Sequence, residues 1–169
     1  HDPGGPTRYE GAQFEVRKAL AKWGEIPMNP TLYLEYVANQ RASDKVEAKV
    51  LLADELCPGW HWGSNLVYEQ ETSGARETEL ALSGAVSYAV QDSKFSVGAE
   101  FNLERVTGKG FQSNDDAVNE FLIGPAFQWR PTENSHVDFS PLFGLTHSDR
   151  EDPRYEIWLI FGWDFGPEP

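Results

Sequence analysis

Two long runs of strict alternation, joined by a polar turn at residues 91–94, occupy residues 79–105, ELALSGAVSYAVQDSKFSVGAEFNLER. Leu80, Leu82, Val86, Tyr88 and Val90 point one way, with Gly84 among them, and Glu79, Ala81, Ser83, Ala85 and Ser87 point the other. The second run divides likewise: Phe95, Val97, Ala99, Phe101 and Leu103 oppose Ser96, Gly98, Glu100, Asn102 and Glu104. A period of two around a tight turn predicts a β-hairpin. Ordinary strands average about five or six residues, whereas a tilted strand that crosses a bilayer needs roughly nine to eleven. Runs of this length therefore bring a membrane-spanning sheet into consideration.

The same texture fills most of the chain. TLYLEYVAN sets Leu32, Leu34, Tyr36 and Ala38 against Tyr33, Glu35, Val37 and Asn39; KVEAKVLLA sets Val46, Ala48, Val50 and Leu52 against Glu47, Lys49, Leu51 and Ala53. In WHWGSNLVYEQE, Trp60, Trp62, Leu66 and Tyr68 oppose His61, Asn65, Val67, Glu69 and Glu71. Further on, Phe121, Ile123, Phe127 and Trp129 oppose Glu120, Gly124, Ala126, Gln128 and Arg130, while Val137, Phe139, Phe143 and Leu145 oppose His136, Asp138, Ser140 and Gly144. The last run sets Tyr155, Ile157, Leu159, Phe161, Trp163 and Phe165 against Glu156, Trp158, Ile160, Gly162 and Asp164. Pro125 lies inside its run and predicts a bulge or a local gap in pairing. Residues 13–20 fit a strand, through Phe14 and Val16 against Gln13, Glu15 and Arg17, but also fit helical spacing through Ala12, Val16, Ala19, Leu20 and Trp23. The strand reading is preferred, because Glu15 and Arg17 continue the polar face.

Short turns between long strands predict an all-β, antiparallel up-and-down meander. Its natural end is a closed transmembrane β-barrel of eight to ten or more strands, since closure removes both edges. The expected division is an irregular lead-in over residues 1–12, barrel strands over 13–165 and a tail over 166–169. Counting residues 13–20 gives nine strands, whereas single-chain bacterial barrels have even numbers, so a further strand is expected from upstream or from another chain.

Composition enters where it decides partners. The net charge of −13 excludes nucleic acid, whose phosphates need a basic surface. A mean hydropathy of −0.52 looks water-soluble, but alternation hides apolar residues at every second position and gives a barrel the same average. The single cysteine, Cys57, excludes an internal disulfide and reads as a lone thiol in a turn. The opening HDPGGPT carries no basic and apolar signal segment, so a secreted protein would be present in mature or truncated form.

The two faces differ in chemistry. One is aliphatic and aromatic, with Trp60, Trp62, Tyr88, Phe101, Trp129, Phe139, Phe161, Trp163 and Phe165 as candidate membrane-facing aromatics. The other combines Gly and Ala with Glu35, Glu47, Lys49, Glu69, Glu79, Glu100, Asn102, Glu104, Arg130, His136, Asp138 and Glu156, the candidate lining of a lumen. A soluble barrel with the apolar face inward, around a hydrophobic ligand, is the competing arrangement. Small residues between the acids favour the polar face as the crowded interior. Glu69, Glu100 and Asp138 along one aqueous path would then predict a preference for cations.

NLVYEQE, GAEFNLE, LIGPAFQWRP and the closing IFGWDF resemble the strands of bacterial outer-membrane barrels, in particular the porin-like group labelled as a phenol-degradation-pathway transporter. The resemblance implies the outer membrane of a Gram-negative bacterium, contact with membrane lipid and with other chains of a membrane complex, passage of small ions or solutes, no cofactor and no catalysis. It also implies an aromatic terminal strand for the insertion machinery, a role that Trp163 and Phe165 suit.

Catalytic patterns are thin. His136, Asp138 and Ser140 share a face, but neighbours two apart on a strand stand about 6 to 7 Å apart, beyond the roughly 3 Å a nucleophile and base require. His147 and Ser148 face opposite ways, and Asp115 with Asp116 suits a solvated turn. Glu69 with Glu71, or Glu100 with Glu104, offers oxygen ligands of the kind calcium takes, although acids at strand spacing are more often a charged face.

Overall fold

The computed structural model describes residues 11–74, 76–91, 94–108, 117–146, 155–163 and 165. Residues 1–10 of the expected lead-in, the tail 166–169, the pairs Asp115 with Asp116 and His147 with Ser148, and Asp164 lie outside the described residues.

Nine strands follow one another: β1 (Gly11–Ala19), β2 (Thr31–Asn39), β3 (Lys45–Cys57), β4 (Trp60–Glu71), β5 (Thr78–Gln91), β6 (Phe95–Thr107), β7 (Val118–Thr132), β8 (Ser135–Gly144) and β9 (Tyr155–Trp163). Each pairs antiparallel with its sequence neighbours in one sheet, ordered β1 to β9 without a crossover. The meander and the long strands are thus as the alternation predicts. Residues 13–19 are strand rather than helix, because that conformation sets Phe14 opposite Tyr36 and Val16 opposite Leu34 on the apolar face and Arg17 opposite Tyr33 on the polar one.

Register shifts occur at Glu55/Cys57, Ala89/Gln91 and Trp129/Thr132, all at the end that carries the short turns. Pro125 does interrupt pairing. The β7–β8 ladder is open between Ile123–Phe143 and Phe127–Phe139, where the common register sets Pro125 opposite Pro141, two residues that cannot donate.

Among the described residues the expected closure is absent: β1 and β9 are both edges of the nine-stranded sheet, with no pairing between them. The reason is directional: in an antiparallel meander of odd count the first and last strands run the same way, so direct β1–β9 closure would be a parallel ladder. Antiparallel closure takes one more strand.

The sheet is nevertheless curved. Cα atoms of β6 and β8, two strands apart, come within 8 Å, whereas two strand spacings in a flat sheet amount to about 9.6 Å. The concave side is the polar one: Leu122 and Leu142, each 1% exposed, and Ser140 all share the parity of the acids.

The connection between β1 and β2 folds onto the end of β3. Ala53 N–H donates to the Met28 carbonyl and Met28 N–H to Asp54 Oδ2, both at 2.9 Å. The Asn29 amide bonds the Ala53 carbonyl at 2.9 Å, and Asn29 itself adopts a positive φ that asparagine tolerates. At the opposite end Asp44 closes the β2–β3 turn, accepting from Tyr36 Oη at 2.6 Å and from Asn39 N–H at 2.8 Å. These donors, the Tyr36 hydroxyl foremost, hold the Asp44 carboxyl below its usual range. A lowered folded value means the contribution is present above the unfolded value and lost as pH falls through the folded one. Asp44→Asn is therefore predicted to flatten the acid limb of stability between about pH 5 and pH 2, measured by thermal unfolding in detergent. An unchanged acid limb would remove this role.

Candidate functional site

The concave face of β1 to β5 carries one continuous row of carboxylates. Glu15 stands opposite Glu35, Glu35 opposite Glu47, Glu47 opposite Glu69 and Glu69 opposite Glu79. Directly opposed like charges destabilise a sheet, so neutralising groups must intervene, and they do. Arg17 lies 2.7 Å from Glu15, Lys49 2.7 Å from Glu47 and Lys45 2.6 Å from Glu69. Gln13 Nε2 donates to Glu35 at 2.6 Å. The Tyr33 hydroxyl sits between Glu35 and Glu15, within hydrogen-bonding reach of both. Its ring also takes cations on its face, Lys49 Nζ at 4.8 Å from the centroid and the Arg17 guanidinium at 5.4 Å. Tyr33, buried to 7% exposure, is the hub of this wall. The row continues, offset, in Glu104 opposite Glu120 on β6 and β7.

The wall made by β6 to β9 is organised differently. Ser140 Oγ donates to Glu100 Oε2 at 2.8 Å across the intervening strand. Gln128 Nε2 donates to Asp138 Oδ1 at 2.9 Å, Arg130 Nε donates to Gln128 at 3.2 Å, and His136 Nε2 lies 3.5 Å from Asp138 Oδ2. The His136 ring covers Gly162 of β9, where a Cβ would strike the imidazole. Glu156 accepts from Trp158 Nε1 at 3.1 Å. Among the clefts of the sheet, one of about 590 Å³ lies between β1–β6 and the β1–β2 connection, bordered by Trp23, Asn65 and Glu100, and one of about 180 Å³ is bordered by Ser96, Glu100, Asp138 and Ser140.

Eleven of the twelve candidate lining residues are half-buried on this concave face: Glu35, Glu47, Lys49, Glu69, Glu79, Glu100, Asn102, Glu104, His136, Asp138 and Glu156; Arg130 is exposed near the β7–β8 turn. His136, Asp138 and Ser140 do not assemble as a relay, because the hydroxyl of Ser140 is directed to Glu100. Glu69 is occupied by Lys45 and Glu100 by Ser140, on different strands and different walls.

The convex face is apolar and open on every strand, through residues such as Phe14, Leu34, Leu66, Ile123, Phe143 and Leu159. Of the candidate aromatics, Trp60, Tyr88, Trp129, Phe139, Phe161, Trp163 and Phe165 are exposed, and Trp62 and Phe101 are half-buried. Register sorts them. Trp60 pairs with Tyr88, their rings 5.2 Å apart, and together with Trp129 and Trp163 they lie toward the short-turn end. A second aromatic row, Tyr36, Tyr68, Phe143 and Tyr155, lies toward the other end, with Leu66, Leu82 and Ile123 between the two. Trp60 and Tyr68 are separated along β4 by about 26 Å at the usual strand rise.

Sequence reasoning missed Tyr33 as a hub, the Glu100–Ser140 bond and the second aromatic row. The last was visible, since Tyr36 and Tyr68 share the parity of Trp60 near opposite strand ends. The first two depend on register between strands, which alternation alone leaves free. Leu122 and Leu142 also went unremarked, although each sits in the polar half of its run.

The model of the family described as "Putative MetA-pathway of phenol degradation" matches residues 37–155, from within β2 to the start of β9. No curated protein matches the chain.

Proposed function

The chain belongs to that phenol-degradation family, and from this premise we propose that it is a porin-like barrel of the Gram-negative outer membrane, a passive conduit for small solutes with an acidic inner wall. The observation that carries the reading is the inversion of exposure: apolar side chains are open across the convex face, while Glu35, Glu47, Lys49, Glu69, Glu79 and Glu100 are half-buried on the concave face. Soluble monomers rarely expose a contiguous apolar patch of more than a few hundred Å². In a bilayer the same arrangement is favourable, and the two aromatic rows bracket an aliphatic band of about 20 Å once the strands tilt by roughly 35–45°, near the roughly 25 Å that such barrels show. A soluble ligand-binding barrel needs its apolar face concave, and the curvature here runs the other way. Lipid also leaves no edge tolerable, because unpaired backbone groups have no water to bond. The β1 and β9 edges are accordingly covered in the membrane, in the antiparallel case by a further strand from another chain or segment.

Purified without detergent, the chain is predicted to aggregate, and with detergent or phosphatidylcholine vesicles to give a monodisperse, β-rich, protease-protected species. A monodisperse monomer in plain buffer would overturn the membrane reading. Vesicle-inserted protein that passes no ions or small solutes would leave a structural membrane barrel in place of a conduit.

A further inference from the structure

On the β1–β5 wall Glu15, Glu47 and Glu69 are each paired with a base and Glu35 is held by the Gln13 amide and the Tyr33 hydroxyl, whereas Glu100, on the other wall, is held by a single neutral hydroxyl. Arg17, Lys49 and Lys45 stand within 2.7 Å of Glu15, Glu47 and Glu69 respectively. The partner of Glu100 is Ser140 Oγ, at 2.8 Å, and Ser140 is 6% exposed. A hydroxyl donor orients a carboxylate without removing its charge.

The local backbone is arranged for this bond. Glu100 stands opposite Gly124 on β7 and the common β7–β8 register sets Ser140 opposite Ala126, so only a glycine and an alanine lie between the two side chains on this face. A Cβ on Gly124 would run into the Pro141 carbonyl, which means β7 and β8 approach here more closely than any other residue allows. The missing rungs opposite Pro125 and Pro141 fall at the same place, and the Pro125 carbonyl lies 3.3 Å from Ser140 Oγ. Glu100 also borders both of these clefts, the larger against β1–β5 and the smaller against β7–β8. Among the described residues Glu100 is the one that lines both.

We propose that Glu100 is the residue that sets the ionic preference of the inner passage and that Ser140, reaching diagonally across β7, is the residue that positions it. This rests on the conduit reading above. A fixed carboxylate in a narrow space raises the local concentration of cations and lowers that of anions.

The test is the reversal potential of the full chain in planar bilayers under a KCl gradient. Glu100→Gln is expected to lower the potassium-to-chloride permeability ratio about fivefold or more, the effect of one charge at close range even with water present. Glu133→Gln, in the exposed β7–β8 turn, should leave it unchanged. Ser140→Ala should lower the ratio part-way and broaden the conductance distribution, and Ser140→Thr, which keeps the hydroxyl, should restore wild-type values. Glu100→Asp, which keeps the charge, guards against a folding defect, and far-UV circular dichroism in detergent checks all variants. Current with an unchanged ratio in Glu100→Gln would overturn the role of Glu100 and leave the conduit standing. A Ser140→Ala protein indistinguishable from wild type would overturn the positioning role. An inserted wild type with no current would overturn both the conduit and this assignment.

Discussion

Leu66→Arg is expected to impair insertion, with a loss between the roughly 0–1 kcal/mol of a bilayer interface and the roughly 2–4 kcal/mol of its midplane, whereas Asn65→Arg, its neighbour, is expected to insert and to alter passage instead. The two positions are adjacent on β4 and face opposite sides. Leu66 is 55% exposed, opposite Val50 and Leu82, and lies between the aromatic rows, six residues from Trp60 and two from Tyr68. Asn65 is half-buried, borders the larger cleft and donates to Ser83 Oγ at 3.2 Å. In water the order reverses, because an arginine at an exposed leucine changes stability by only about 0.5 kcal/mol, while one beside Ser83 crowds the interior. Folding into phosphatidylcholine vesicles from urea, followed by the shift of the unfolding midpoint, measures both. Equal tolerance at both positions, or greater tolerance at Leu66, would contradict a lipid-facing convex side.

How far the sequence discloses this arrangement depends on what each feature requires. The nine strands and their order follow from local pattern, since a period of two and short turns leave an antiparallel meander as the only economical connection. Face assignment followed as well, because Gly98, Gly124 and Gly162 occur among the acids and the structure shows why: a Cβ at each would strike a neighbouring strand or the His136 ring. Closure was not legible, because it depends on what lies beside β1 and β9 and not on their own pattern. Nor was the Glu100–Ser140 bond, which joins strands two apart across the small residues Gly124 and Ala126 and so depends on the register of three strands. Trp158 and Ile160 illustrate the same limit of local pattern. They lie in the polar half of the last run yet stay exposed at an open edge, and alternation alone says only that they face inward.

The carboxylate row yields the remaining large expectation. Four opposed Glu pairs in succession are tolerable only while the bases among them hold, and Lys49 serves twice, through the ion pair with Glu47 and through the face of Tyr33. Its side chain is 29% exposed and that of Glu47 13%, so both charges lie well inside the fold. Removing one partner of a buried pair leaves the other uncompensated and costs about 3–5 kcal/mol. Lys49→Met is therefore expected to destabilise by roughly 3 kcal/mol, and Glu47→Gln on the same background to recover most of it, since the exposed liability is the orphaned carboxylate. Denaturant unfolding of the double-mutant cycle in detergent micelles provides the measurement. The size of the effect also reports on the interior. A water-filled passage would screen the pair and reduce the coupling below about 1 kcal/mol, while a wall packed around Tyr33 would keep the full cost. A coupling near zero together with high conductance would mean that the row is solvated and that Lys49 is not what keeps five carboxylates side by side.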